Sequence, residues 1–372
     1  MRTDVSSVFA HDGVYKLSLS YIPENLPHRE EHVGEITQLF RPFTEREDQV
    51  PWAVMVLGPS GTGKTVAVRR ALDSIRREVM QKRSEALVDY VNCRFATSDY
   101  SLAQMISMKV IPGMSTRGYG VGELVTAVQD YLEHRGQRAL IALDDFDAFI
   151  RISRGRTSLV YDMLKYHEQG KGRVFFILVG IEDFSPSFLE AWIRNYVWRT
   201  RLSYLPYGYE QMRQILSDRS EEAFAAGAIG AEEIMLASRM ATKFGYGSAR
   251  YGLELLLASG READWEGSGR VTPENVRVAQ TRIEPILRPD ALAEWPPEVR
   301  KMLKRIADVS STGERAYFSL LEIGADDEQG VALVRRLEFE GIVDLLVEGD
   351  KTKVALVSPP LGVLRNYLGS KS

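Results

Sequence analysis

Eight consecutive residues, 58–65, read Gly-Pro-Ser-Gly-Thr-Gly-Lys-Thr and match the nucleotide-binding pattern GxxxxGK[ST]. Glycines let such a turn close around a triphosphate, backbone N–H groups point inward, and the following helix adds the positive end of its dipole. Lys64 is expected to reach the β- and γ-phosphates, and the Thr65 hydroxyl to hold Mg²⁺. The motif therefore predicts binding of ATP or GTP through Pro59, Ser60, Gly61, Thr62, Gly63, Lys64 and Thr65.

A second feature is the apolar run 139–143, which ends in the adjacent carboxylates Asp144 and Asp145. Ligands of open α/β sheets collect at the carboxyl ends of the strands. Asp144 is therefore the expected Mg²⁺ partner, directly or through water, and Asp145 the residue that polarises the attacking water. The alternative is an Asp-rich turn that only caps the next helix.

Two other positions are candidates for sensing the γ-phosphate. Asp183 follows the apolar run 175–179, and a carboxylate there suits water positioning but repels phosphate unless a proton or Mg²⁺ intervenes. The alternative for Asp183 is a turn or a helix cap. Arg250 lies in the first turn of a helix that Ser248 would cap, where a charge-assisted contact can distinguish ATP from ADP. Its alternative is a surface pair with Glu254.

The elements that must position these residues alternate between strand and helix from residue 52 to 179. This alternation predicts a parallel sheet with helices on both faces. Strands are predicted at 53–57, 87–92, 138–143 and 173–179, and helices at 65–81, 100–108, 121–134 and 157–168.

Two further patterns follow. Helical periods at 208–225, 231–243, 248–264 and 273–286 predict an all-helical domain, and prolines mark a linker at 285–297. The last part has the outline of a winged helix-turn-helix, with predicted helices at 297–308, 315–323 and 327–340 and predicted strands at 342–348 and 353–358.

Composition narrows the class of protein. The 372 residues suffice for two or three domains, and no apolar run approaches the roughly 18 residues of a membrane span. Cys93 is the only cysteine, which excludes a disulfide within the chain and suits a reducing cytoplasm. A net charge of −4 means that any nucleic-acid site must be a local basic patch. We therefore expect a cytoplasmic protein with no membrane partner.

Candidate DNA contacts in the C-terminal part lie on its helices and its predicted hairpin. Residues 290–372 hold 11 Lys and Arg against 14 Asp and Glu, and the predicted recognition helix begins with Asp326, Asp327 and Glu328. Acidic side chains there repel phosphate, so a winged fold used for protein contact is the alternative. The candidates are Arg335, Arg336, Lys351, Lys353, Arg300, Lys301, Lys304 and Arg305.

Taken together, these features resemble the archaeal AAA+ initiators of the origin recognition complex and cell-division-cycle family. Residues 21–30, Tyr-Ile-Pro-Glu-Asn-Leu-Pro-His-Arg-Glu, are similar to the leading segment of that family, 90–93 to its second core strand, and 247–260 to its sensor-2 helix. The resemblance spans nearly the whole chain. It implies adenine contacts from Tyr21, Ile22, Pro23, Leu26 and Arg29, and a helical lid that begins near Tyr207, which is itself an expected nucleotide contact. It also implies DNA contacts from Lys109 and Arg117.

The chain departs from the family pattern at three points. Asp144-Asp145 replaces the usual Asp-Glu, which implies slow or absent hydrolysis, and Asp183 stands where the family has Asn. The spacing before the lid is also compressed, so the arginine that acts on a neighbouring subunit is left open among Arg194, Arg199 and Arg201.

The sequence thus predicts a multidomain α/β protein: an AAA+ core (1–206), a helical lid (207–288) and a winged-helix domain (289–372). The predicted function is an ATP-binding initiator that recognises origin DNA and helps to recruit the replicative helicase, with other initiator paralogues as partners. ATP or ADP with Mg²⁺ is the expected cofactor set, and the expected activity is a weak ATPase at most. The alternative is an auxiliary paralogue or regulatory AAA+ switch that acts mainly through protein contacts.

Overall fold

The computed structural model describes residues 7–45, 50–153, 158–181, 200–283, 295–311 and 315–369. The chain forms two compact units, which we call the first unit (Asn25–Pro206) and the second unit (Met1–Glu24 with Tyr207–Ser372). The N-terminal residues, which include the short helix α1 (Gly13–Lys16), thus pack with the later part of the chain. Ala10 N–H donates to the Ala223 carbonyl at 2.9 Å. The predicted domain ranges place these residues in the core instead, and those ranges stay predictions.

A five-stranded parallel sheet organises the first unit. Its strands are β1 (Ala53–Leu57), β2 (Ala86–Asn92), β3 (Arg138–Asp144), β4 (Val174–Gly180) and β5 (Arg201–Ser203), in the order β2-β3-β4-β1-β5. The predicted parallel sheet is therefore confirmed. The sequence did not indicate β5, a three-residue strand at the edge of the sheet next to β1.

Helices cover both faces of this sheet because successive strand residues point to opposite sides. The helices are α2 (Glu30–Leu39), α3 (Arg41–Thr44), α4 (Lys64–Gln81), α5 (Asp99–Val110), α6 (Val121–His134), α7 (Phe146–Ile152) and α8 (Ser158–Glu168). Val54, Val56 and Leu140 share one buried cluster with α2 and α4. Met55, Leu57 and Ile141 face the other cluster, with α5, α6 and α8.

Four helices build the lid region of the second unit, close to the predicted spans. They are α9 (Tyr209–Ala223), α10 (Ala231–Lys243), α11 (Ala249–Glu266) and α12 (Pro273–Ile283). Their apolar faces meet in one core that includes Met212, Leu216, Leu236, Met240 and Leu256. Within the described residues, no helix of either unit is long and apolar enough to cross a membrane.

The C-terminal subdomain, residues 295–369, adds helices and a three-stranded antiparallel sheet. Its elements are α13 (Pro297–Ser310), β6 (Tyr317–Ser319), α14 (Glu328–Phe339), β7 (Val343–Glu348), β8 (Lys351–Leu356) and α15 (Leu361–Gly369), and the sheet order is β6-β8-β7. The sequence did not indicate α15.

The predicted helix at 315–323 is wrong. Tyr317 and Phe318 instead pair with Ala355 and Val354 as a strand, and a turn follows. Aromatic residues favour strands, and the backbone N–H and hydroxyl of Ser319 both donate to the Glu322 carboxylate, at 2.6 and 2.8 Å, which closes the turn locally.

The lid helices hold the C-terminal subdomain through buried polar contacts. Arg277, which is 1% exposed, donates from Nε to the Leu356 carbonyl at 2.9 Å. Arg239 Nε lies 3.2 Å from Asp344 Oδ2, and the Tyr317 hydroxyl donates to the same carboxylate oxygen at 2.9 Å. Burial raises the pKa of Asp344, and Arg239 opposes that shift. A charged group this deep needs such partners, so these contacts fix where the subdomain sits on the lid.

Candidate nucleotide site

The loop between β1 and α4 has the backbone that a phosphate-binding turn requires. Gly58, Gly61 and Gly63 have φ angles of 155°, 78° and 85°, a region that favours glycine. A Cβ at Gly58 would lie 2.2 Å from the carbonyl oxygen of Tyr204. The loop therefore requires glycine at 58 for space as well as for conformation.

Lys64 lies at the first position of α4 and curls over this loop. Its side chain is almost fully buried, and Nζ donates to the carbonyls of Gly58 at 2.7 Å and Pro59 at 2.8 Å. The Thr62 hydroxyl donates to the same Pro59 carbonyl at 2.9 Å. The ammonium is thus positioned over the turn, where phosphate oxygens could replace the carbonyls as its partners.

Arg29 holds the loop through hydrogen bonds to backbone carbonyls. It is 5% exposed, and its guanidinium donates from Nε to the Thr62 carbonyl at 2.9 Å and from Nη2 to the Leu205 carbonyl at 2.7 Å. The same group lies 5.2 Å from the centre of the Tyr204 ring. Arg29 was predicted as an adenine contact; the structure assigns these donors to the loop and to the segment after β5.

Asp144 ends β3 and is 3% exposed. Its Oδ2 accepts a 2.6 Å hydrogen bond from the Tyr90 hydroxyl, and its Oδ1 accepts the backbone N–H of Asp145 at 3.0 Å. Burial, and then the Asp144 charge, raise the pKa of Tyr90, so that hydroxyl stays protonated and donates. The guanidinium of Arg69, on α4, lies 4.3 Å from the centre of the Tyr90 ring. A chain of three side chains thus joins α4 to the carboxylate.

Asp145 adopts a left-handed backbone with φ at 52°, which aspartate tolerates better than most residues. Its Oδ2 lies 3.4 Å from Nε of Arg94, in the short helical turn Cys93–Phe95 after β2. The side chain of Asp145 is 38% exposed, whereas that of Arg94 is 70% exposed. Asp145 is therefore accessible to solvent but held by a cation.

The sheet order brings the loop and the carboxylates to the same end of the sheet, where the strands have their carboxyl ends. β4 lies between β1 and β3, Leu57 is level with Gly180, and Leu143 is level with Leu178. Parallel strands end on the same side, so residues 58–65 and Asp144 follow strand ends separated by one strand. The structure thus has the two motifs at the same end of the sheet, as the sequence predicted.

The oxygen donors at this edge fit Mg²⁺. Thr65 and Asp144 supply a hydroxyl and a carboxylate, and Mg²⁺ usually keeps several waters and takes few protein ligands besides phosphate oxygens. Within the described ranges, no cluster of three His, Cys, Asp or Glu could hold a metal by protein groups alone. Any metal here would therefore depend on phosphate ligands.

The other predicted nucleotide contacts are divided between the two units. Tyr21 belongs to the second unit, where its hydroxyl donates to Glu222 at 2.7 Å and Arg219 covers its ring at 4.8 Å. Ile22 and Pro23 belong to the second unit as well, whereas Leu26 belongs to the first. Tyr207 is buried and its N–H donates to the Gly247 carbonyl at 3.0 Å.

Arg250 lies in the first turn of α11 with an exposed side chain, and Ser248 caps that helix by accepting from the Tyr251 N–H at 3.4 Å. The predicted cap is therefore confirmed. Asp183, Arg194 and Arg199 lie outside the described residues, and Arg201 is exposed on β5.

The candidate DNA contacts differ in how far other groups already neutralise them. Lys109 pairs with Asp89 at 3.1 Å, and Lys353 pairs with Glu348 at 2.9 Å. Arg117, Arg335, Arg336 and Lys351 are exposed.

Sequence reasoning missed Tyr90, Arg94 and Arg69 as parts of the site. No local pattern pointed to them. In the structure Asn92 is level with Asp144, so Tyr90, two residues earlier, faces the same side of the sheet. Which tyrosine reaches the carboxylate depended on strand pairing that the sequence did not give.

Comparisons with known proteins identify the family. The AAA domain family matches residues 51–188, and the Cdc6 AAA+ ATPase-type lid domain matches residues 213–281. The ORC1-type DNA replication protein 2 of Sulfurisphaera tokodaii is 30% identical over 289 residues, which cover 76% of this chain and 68% of that protein. This chain belongs to the ORC1-type DNA replication protein family. Another ORC1-type protein, from Thermococcus kodakarensis, is 26% identical over 300 residues, covering 79% of this chain and 71% of that protein.

Solved structures share the fold of this ORC1-type chain. Cdc6p from Pyrobaculum aerophilum has a TM-score of 0.82 at 20% identity, covering 98% of this chain and 100% of that one. The Aeropyrum pernix ORC1 protein, solved in complex with DNA, has a TM-score of 0.65 at 24% identity, covering 98% of each chain. The predicted AAA+ core with a helical lid, and the resemblance to archaeal initiators, are thereby confirmed.

Proposed function

We propose that this ORC1-type protein is a replication initiator that binds origin duplex DNA and uses its ATP- or ADP-bound state as a switch. One observation carries the nucleotide half of this proposal: Lys64, curled over a glycine-shaped loop, and Asp144, buried with its orientation fixed by hydrogen bonds, follow strand ends at one sheet edge. That edge is where α/β sheets bind nucleotides.

Each residue has a proposed role. Backbone N–H groups of 58–65 would hold the phosphates, Lys64 would neutralise the β- and γ-phosphate charge, and Thr65 and Asp144 would hold Mg²⁺. Bound Mg²⁺ would supply further charge neutralisation at the phosphates. Arg250, exposed at the start of α11, is the proposed discriminator between ATP and ADP.

We propose that hydrolysis is slow and serves as a timer. Asp145 is one methylene shorter than glutamate, and Arg94 holds its carboxylate at 3.4 Å. A water-polarising base must reach the attacking water, and both features shorten its reach. Asp183 stays a proposed second carboxylate that positions the attacking water.

The DNA half of the proposal rests on the C-terminal subdomain and the family. The order helix, strand, turn, helix and β-hairpin fits a winged helix-turn-helix in which the turn replaces the middle helix. The Aeropyrum pernix ORC1 protein was solved in complex with DNA, which supports DNA as the partner class. Helicase recruitment, partner paralogues and a cytoplasmic location belong to the same proposal.

Nucleotide binding is tested with a fluorescent ATP analogue. Lys64→Ala should abolish triphosphate binding, whereas Lys171→Ala, a change at an exposed lysine of the same unit, should leave it intact. Full affinity in the Lys64 variant would refute the site. Arg250→Ala should keep ATP binding but lose ATP/ADP discrimination, with Arg261→Ala on the same helix as the control. Unchanged discrimination would refute the role of Arg250.

A second candidate function is a switch that acts through protein contacts. The exposed carboxylates of Asp326, Asp327 and Glu328 at the start of α14 favour it, because they oppose phosphate where a recognition helix usually approaches DNA. Anisotropy with labelled duplexes, including chromosomal segments beside the gene, separates the two. Tight, salt-sensitive, sequence-dependent binding supports the initiator; binding at only about 10⁻⁴–10⁻⁶ M supports the protein switch.

A further inference from the structure

One buried arginine of the first unit contacts both of the segments that connect this unit to the second. The first unit is joined to the second at each of its two ends, and we call residues 25–29 and 204–206 the connecting segments. Arg29 donates from Nη1 to the His28 carbonyl at 3.1 Å and from Nη2 to the Leu205 carbonyl at 2.7 Å. A single guanidinium therefore holds the backbones of the two connecting segments together.

The same guanidinium binds the phosphate loop, residues 58–65. Arg29 Nε donates to the Thr62 carbonyl at 2.9 Å. The Thr62 hydroxyl in turn donates to the Pro59 carbonyl at 2.9 Å, and that carbonyl also accepts from Lys64 Nζ at 2.8 Å. A series of hydrogen bonds through Thr62 thus runs from the ammonium proposed to bind phosphate to both connecting segments.

The phosphate loop and the second connecting segment also meet directly. The Tyr204 N–H donates to the carbonyl of Leu57, the residue before the loop, at 2.7 Å. At Gly58 the two backbones lie so close that a Cβ would be 2.2 Å from the Tyr204 carbonyl oxygen. The Tyr204 ring is fully buried, and its centre lies 5.2 Å from the guanidinium carbon of Arg29. Because this region is tightly packed, a shift of the loop must be accommodated by residues 204–206.

Burial makes Arg29 retain its carbonyl partners. The residue is 5% exposed, and a buried charge that loses a hydrogen-bond partner is strongly destabilised. A guanidinium is a rigid planar fork, so its donors cannot be redirected one at a time. If the Thr62 carbonyl moves, the guanidinium must follow it, and the hydrogen bonds to His28 and Leu205 change as a consequence.

Phosphate binding is the event that would move this network. Phosphate oxygens would replace the carbonyls of Gly58 and Pro59 as partners of Lys64 Nζ, and the change at Pro59 would reach Thr62. We propose that Arg29 is a positioning residue that carries phosphate occupancy of the loop to both connecting segments. This inference rests on the proposed nucleotide-binding function and adds the residue through which the bound nucleotide acts on the rest of the chain.

Hydrogen–deuterium exchange of the full, nucleotide-free chain tests the proposal. Peptides that cover 57–66 report occupancy of the loop, and peptides that cover 22–29 and 203–209 report the connecting segments. The probes, each with Mg²⁺, are the analogue AMP-PNP and inorganic tripolyphosphate, which has no adenine to contact residues 22–29 directly. Each probe is raised until the loop is fully protected. Both should slow exchange in the connecting segments by about fivefold or more, the lower end of typical coupling between sites.

Arg29→Lys and Arg29→Gln test whether the guanidinium carries this response. Lysine keeps the charge, but one compact ammonium cannot replace the planar fork that binds three carbonyls. At probe concentrations that protect the loop, both variants should show the same exchange in the connecting segments with and without probe. Arg76→Lys is the matched control, because Arg76 also donates from Nε to a backbone carbonyl of the first unit, that of Val88 at 2.9 Å. It should keep the wild-type response.

The outcomes separate this inference from the proposed function. Connecting segments that do not respond to tripolyphosphate in the wild-type chain, or that respond as strongly in both Arg29 variants, overturn the inference while nucleotide binding stands. Faster exchange in a variant that the probe still slows by the wild-type factor shows that Arg29 only stabilises the fold. If neither variant protects its loop with any probe, Arg29 is needed for the site itself, and the inference is again wrong. If AMP-PNP does not protect the wild-type loop, the proposed nucleotide-binding function fails, and this inference falls with it.

Discussion

The hydroxyl of Tyr90 donates a 2.6 Å hydrogen bond to Oδ2 of Asp144. The tyrosine lies on β2 and the carboxylate at the end of β3, and the Arg69 guanidinium of α4 lies 4.3 Å from the ring centre. α4 also carries Thr65, four residues before Arg69 and on the same side of the helix. A chain of side chains therefore runs from α4, the helix that carries Thr65, through Arg69 and Tyr90 to Asp144.

Tyr90→Phe removes this hydrogen bond and little volume. Partners of a metal ligand orient it, and their loss typically costs 10–100-fold in metal affinity. We expect the Mg²⁺ concentration that half-saturates nucleotide binding to rise about tenfold, while nucleotide affinity in EDTA stays near wild type. Tyr131→Phe, on α6, is the control. The same Mg²⁺ dependence in the Tyr90 variant and wild type would show that Tyr90 does not position Asp144.

Gly58→Ala tests the shape of the phosphate loop. The new Cβ would lie 2.2 Å from the Tyr204 carbonyl oxygen at a φ of 155°, so the loop or the segment after β5 must shift. Strain of this kind costs about 1–3 kcal/mol, and we expect weaker ATP binding together with a lower melting temperature. Gly34→Ala, in α2 with open space around it, should be neutral or slightly stabilising. Wild-type affinity in the Gly58 variant would contradict the geometry.

Arg239→Met tests the contact between the lid and the C-terminal subdomain. It leaves the carboxylate of Asp344, 7% exposed, without its guanidinium. Removing one partner of a buried pair costs about 3–5 kcal/mol, and the partial exposure of Arg239 reduces this to about 2 kcal/mol. Calorimetry of the full chain measures the loss. Arg213→Met breaks an exposed pair with Glu210 at 3.0 Å and should cost under about 1 kcal/mol; equal losses would refute the buried role.

The buried His167 should make the stability of the fold depend on pH. Its ring stacks on Trp52 at 5.0 Å, its Nε2 donates to the Val174 carbonyl at 2.7 Å, and burial lowers its pKa. The unfolded chain, with a histidine pKa near 6.5, then binds more protons than the folded chain below that pH. The unfolding free energy should therefore fall as pH drops below about 6.5. His167→Gln should flatten the pH profile of melting temperature; the exposed His134→Gln should not. A profile as steep in the His167 variant would exclude this histidine as its source.

Local patterns predicted much of the fold because their signals are local. β1, β3 and β4 are continuous apolar runs, and in the lid helices apolar residues recur at helical spacing between glycines. The same reasoning failed at 315–323, where Tyr317 and Phe318 pair with β8, more than 30 residues away. Strand formation there depends on a partner that no local window contains.

The sequence by itself determined the chemistry of the site: the glycines, Lys64 and Thr65 of the loop, and a carboxylate at the end of an apolar strand, because each motif is contiguous. Only the tertiary structure decided that Tyr90 holds Asp144, that Arg94 restrains Asp145 and that Arg29 supports the loop. Arg29 lies 33 positions from Thr62 in the sequence, and Tyr90 lies 54 positions from Asp144. These contacts depend on strand order and register, which are set by the packing of the whole sheet against its helices.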